Sequence, residues 1–161
     1  MKLSSVSTIL FACIATSTVA KAEPLSVSHP LCEAIVLKLK PNISKFGGIY
    51  ETISESGFSP MTTMKEIYAA ESRSKELKEL ADEITAMKLD PSLKSGQKEA
   101  ASKAKTLAAA FANFSDGLDS AIESGSAARA NSFLRGFRSK ANGMTPGLVA
   151  WSRQWEKKCG F

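Results

Sequence analysis

Histidine is almost missing from this chain. Of its 161 residues only His29 carries an imidazole. A serine or cysteine nucleophile therefore has no imidazole base to spare, a zinc cluster has no histidine set, and the Glu-x-x-His pairs of di-iron bundles cannot be assembled. His29 itself stands before Pro30, where a histidine reads as a turn residue at a helix start. Cysteine is scarce as well, with three in all and no Cys-x-x-Cys-His for covalent haem attachment. Strand-like alternation of apolar and polar residues is found nowhere, and no run approaches the roughly 20 apolar residues of a membrane-spanning helix. Two Ser-x-x-Lys matches, Ser72 to Lys75 and Ser95 to Lys98, lack the accompanying elements of penicillin-recognising enzymes. No two catalytic roles can be filled, which points away from an enzyme.

The first positive signal is N-terminal. Lys2 supplies a short positive region, Thr8 to Ala20 an apolar core, and Ala20-Lys21-Ala22 a small-x-small cleavage pattern. Residues 1–22 read as a secretory signal peptide cut after Ala22, leaving one domain over 23–161 in the periplasm or outside the cell. The rival reading takes Leu10-Phe11-Ala12-Cys13 as a lipoprotein box, with the protein anchored at Cys13. Cleavage after Ala22 removes two of the 21 cationic residues and none of the 16 acids, so the formal charge falls from +5 to +3. Two cysteines survive, Cys32 and Cys159. In an oxidising compartment two cysteines pair, so Cys159 is expected to be tied to Cys32.

Helical periodicity fills the rest of the chain. The first stripe runs Cys32, Ile35, Leu39, Ile43, Phe46, Tyr50, Ile53, crossing Pro41 in register, which predicts a kinked helix rather than two unrelated ones. Gly57 is read as its stop. Ser59 and Pro60 open the second helix, whose stripe is Met61, Met64, Ile67 or Tyr68, Leu77, Leu80, Ile84 and Met87. Asp90-Pro91 opens the third, with Leu93, Gln97, Ala100, Ala104, Leu107, Phe111, Phe114, Leu118 and Ile122 spaced by threes and fours until Gly125. The fourth runs from Ala127 to about Lys158 along Ala130, Leu134, Phe137, Ala141, Met144, Leu148, Trp151 and Trp155. Asn142, Gly143 and Pro146 should bend it or break it. Cys159 lies four residues past Trp155, on the inward face.

Four long helices joined by short turns predict an all-α, antiparallel up-down-up-down four-helix bundle with kinked first and last helices. In that topology the start of the first helix meets the end of the last, so Cys32 lies beside Cys159. The pairing argument and the periodicity argument agree without sharing a premise.

One charge asymmetry stands out. The segment 126–161 carries Arg129, Arg135, Arg138, Lys140, Arg153, Lys157 and Lys158 against Glu156 alone. On a helical wheel Arg135, Arg138, Arg153 and Lys157 fall roughly opposite the apolar stripe, whereas the mixed charges of 71–83 read as a solvated surface. A basic face that only keeps the helix wet is the simpler account. The functional one is contact with an anionic partner: lipid headgroups, an acidic polymer or an acidic protein. Nucleic acid is not expected, because no aromatic is interleaved on that face to stack bases. The sequence thus points to an exported, non-enzymatic binding protein with no cofactor. The alternative is a periplasmic small-molecule or cofactor carrier using the bundle core, with haem on His29 and a methionine, or copper on Met61 and Met64. Asn42 and Asn113 match the glycosylation sequon, which matters only for a eukaryotic source.

Overall fold

The computed structural model describes residues 25–56 and 59–161. The expected signal peptide over 1–22, the alternative expected anchor Cys13 and the expected helix stop at Gly57 lie outside them. Among the described residues the chain is helical, with no strand.

Helix α1 spans 30–55 in three consecutive pieces: an α-turn Pro30–Cys32, a π-helical stretch Glu33–Leu39 and an α-helix Lys40–Glu55. His29 starts it. Its Nδ1 accepts the Leu31 N–H at 3.2 Å, so the lone imidazole serves as a helix cap. The π-helical piece stands directly ahead of Pro41, where the sequence predicted a kink. A proline ring clashes with the carbonyl four residues back and offers no N–H to it; the Lys40 N–H instead reaches back five residues to the Ile35 carbonyl. Widened turns at this point relieve the clash without ending the helix. They also let Leu31, Cys32, Ala34, Ile35, Val36 and Leu39 all be buried, a wider apolar face than a regular stripe gives.

Helix α2 is Pro60–Ala86. Ser59 precedes it with extended backbone, but its side chain makes no capping bond; Pro60 sets the first turn. A 3-10 turn, Pro91–Leu93, leads into helix α3, Lys94–Glu123. Asp90 likewise makes no side-chain cap. What holds the α2–α3 junction is Gln97, which is only 5 % exposed. Its Nε2 donates to the carbonyls of Ile84 at 2.7 Å and Met87 at 2.8 Å, and lies 3.2 Å from that of Thr85. These carbonyls close the C-terminal end of α2, where helical bonding runs out: that of Ile84 otherwise receives only the Met87 N–H, at 3.3 Å, and Met87 is the residue just past the helix. By sequence Gln97 is one more stripe residue; in the fold it is buried on that stripe and supplies a cap to the preceding helix.

Helix α4 is Ala127–Lys158, one continuous helix with Pro146 inside it. Gly125 adopts φ +66°, the left-handed conformation that ends α3, and the Ser126 side chain accepts the Arg129 N–H to start α4. Cys159 follows and is bonded to Cys32, with Cα atoms 5.7 Å apart. The Leu25 N–H donates to the Lys158 carbonyl at 2.8 Å beside this link.

Contacts between helices run in opposite sequence order. Between α1 and α4, Cys32 meets Cys159, Lys40 pairs with Glu156, Gly47 abuts Thr145 and Tyr50 lies under Arg138. Between α1 and α2, Lys38 pairs with Glu83 and Asn42 accepts from Arg73. Between α3 and α4, Gly96 abuts Trp155 and Gly117 abuts Phe133. At the centre Phe46 meets both Phe111 and Phe137 edge-on, each at 5.2 Å between ring centroids, and Phe114 lies tilted against Phe137 at 4.6 Å. Such aromatic pairs add about 0.5–1.5 kcal/mol each beyond the area they bury.

Some stripe positions are corrected. Met61 is 83 % exposed and Tyr68 62 %, so α2 turns its first apolar residues outward and buries Thr63, Ile67 and Ala70 instead. In α1 the buried position is Ile49, with Tyr50 at the edge. Ile122 is also partly out of the core.

Candidate functional site

The basic side chains of α4 divide into two sets, because a helix packed against neighbours has two flanks as well as an outer face. Arg135 and Arg153 are eighteen residues apart, about five full turns, so they share one outward line, with Lys157 one turn further on. All three are exposed, and no carboxylate lies within 4.0 Å of any of them among the described residues. Arg138, also exposed, leans toward α1: its guanidinium sits over the Tyr50 ring, 4.7 Å from the centroid. The four residues named from the sequence are therefore one line of three and a fourth turned to a neighbouring aromatic. Glu156, the only acid of α4, is occupied by Lys40. Arg135 to Lys157 spans about 33 Å of helix, a ladder of charge rather than a pocket.

Arg129 and Lys140 were not singled out by sequence. They lie on the other flank, eleven residues or about three turns apart, at the rim of a cleft of about 450 Å³ between α3 and α4. Phe46, Phe133, Phe137 and Met144 give it apolar walls. The signal was present in the spacing, but only the position of α3 turns that spacing into a cleft.

Other clefts differ in chemistry. One of about 700 Å³ at the stapled end brings Asp90 and Glu99 together with Lys157 and Lys158, and Gly96 and Trp155. One of about 320 Å³ between α1 and α2 is edged by Lys38, Glu76, Glu79 and Glu83. A third, about 240 Å³, is apolar and lined by Pro60, Met64, Leu118 and Ile122. Of the methionines named for copper, Met64 lines this last cleft and Met61 projects into solvent. His29 is engaged in capping α1. Among the described residues no helix is long and apolar enough to cross a membrane. Compared with protein-family models, curated proteins and solved structures, the chain finds no match.

Proposed function

We propose that the protein is an exported, non-enzymatic, up-down-up-down four-helix bundle that binds an extended anionic partner, a headgroup surface or an acidic polymer, along the outer face of α4. The opposite sequence order of the helix contacts and the Cys32–Cys159 link support the topology. The missing N–H groups of Pro41 and Pro146 support bends in the first and last helices. Export is supported by the N-terminal pattern and by the disulfide, since such bonds persist in oxidising compartments.

The observation that carries the binding reading is the line Arg135, Arg153, Lys157: exposed, free of carboxylate partners among the described residues, and spread over about 33 Å. A point ligand cannot engage charges so far apart, whereas a surface or a polymer can. Each cation near an anionic surface contributes about 1 kcal/mol, so three contribute about 3 kcal/mol, more than a hundredfold in affinity. The test is co-sedimentation of the mature protein with phosphatidylglycerol vesicles and retention on an acidic polysaccharide, at rising salt. Binding that weakens with salt and is lost in R135E/R153E/K157E supports the proposal. Equal retention of the two proteins, or no retention at low salt, refutes it.

A further inference from the structure

The α3–α4 cleft has a character that the outer face of α4 lacks: an apolar interior with cations only at its rim. About 450 Å³ falls in the range of small-molecule sites, which are mostly apolar with a few polar groups that orient the ligand. Neither Arg129 nor Lys140 has a carboxylate within 4.0 Å among the described residues, and no acid lines the cleft. The larger cleft at the stapled end is different, because two acids, Asp90 and Glu99, stand in its lining along with its lysines. The small cleft beside Met64 is apolar but carries no charge.

Gly136 lies in the α3–α4 cleft, and a Cβ added there would meet nothing within 4 Å. A glycine inside a helix costs about 1 kcal/mol relative to alanine, and here no packing in the folded chain requires it. Its effect is to leave the middle of the cleft open.

We propose that this cleft binds a single-chain anionic amphiphile, a free long-chain fatty acid, with its carboxylate on Arg129 and its chain running past Gly136 toward Met144. Arg129 suits the head because the planar guanidinium pairs with a carboxylate through two parallel hydrogen bonds. From Arg129 to Met144 is about 22 Å along α4, with Phe133 and Phe137 walling the path between them. Lys140, part way along, lays its methylene stem beside the chain and keeps its ammonium in water. The site is separate from the Arg135–Arg153–Lys157 line and does not depend on it.

Calorimetry on the mature, disulfide-bonded protein with oleate below its micellar concentration tests the proposal, with oleyl alcohol and lysophosphatidylglycerol as comparison ligands. The expected result is one oleate per protein, bound at least tenfold more tightly than either comparison ligand. G136L, which fills the cleft and raises helix propensity, should weaken oleate at least tenfold without lowering the melting temperature. R129Q, an exposed change that carries the test if G136L fails to fold, should abolish the preference for oleate over the alcohol. R135E/R153E/K157E should bind oleate as the parent does, so that failure of the surface reading and failure of this one are told apart. Absence of one-to-one binding overturns the proposal, as does tighter binding of the lysolipid or an R129Q protein that still prefers the acid.

Discussion

Reducing the Cys32–Cys159 bond is the perturbation with the largest expected effect on this chain, and its size follows from where the two cysteines lie. They are 127 residues apart, so the bond closes nearly the whole described chain into one loop. In the unfolded state that closure removes about 16 cal/mol/K of chain entropy, which at room temperature stabilises the folded form by about 5 kcal/mol. Domains of 100 residues or so have total stabilities of about 5–15 kcal/mol, so the bond is a large share of what keeps the chain folded. Both cysteines are fully buried, and reduction leaves both sulfur atoms in place, so the comparison isolates the link from the packing.

The assay is guanidinium unfolding of oxidised and reduced protein, followed by far-UV circular dichroism. The oxidised form should be more stable by about 4–5 kcal/mol and should melt roughly 15–20 °C higher. Its m-value should also be smaller, because a cross-linked unfolded chain exposes less surface. A gap below about 2 kcal/mol with equal m-values would refute the reasoning. It would mean that the unfolded ends already stay together without the bond. C32A/C159A should lose slightly more than reduction does, because it also removes two buried sulfurs.

Gln97→Leu removes the side-chain donor shared by the Ile84 and Met87 carbonyls and should cost about 1–3 kcal/mol in guanidinium unfolding; Gln97→Glu should cost more at neutral pH, since it turns a carboxylate toward those carbonyls. Gly117→Ala places a Cβ 2.2 Å from the Phe133 ring, so the overlap should outweigh the gain in helix propensity and lower the melting temperature, whereas Gly136→Ala should raise it. Ser74 is 3 % exposed and its hydroxyl has no hydrogen-bond partner among the described residues; Ser74→Ala should therefore stabilise the protein by about 1 kcal/mol in the same assay.

The sequence by itself determined the class of fold and the staple. Four apolar stripes at steps of three and four leave no other way to bury Phe46, Leu107, Phe111 and Trp155, and the break at Gly125-Ser126 carried its own stop and start. The disulfide was legible for the same reason, since both cysteines fall on inward stripe positions. Tertiary structure decided what periodicity cannot weigh. Met61 and Tyr68 are apolar at helical spacing, yet they face solvent because no neighbouring helix covers that side of α2. Gln97 caps α2 only because α3 returns beside the end of α2, and the π-helical turns before Pro41 depend on hydrogen bonds that composition does not encode. The basic residues of α4 show the division most clearly. Their charge is local and was visible in the chain, but whether an arginine stands free, lies on Tyr50 or borders an apolar cleft depends on which helix packs against each flank.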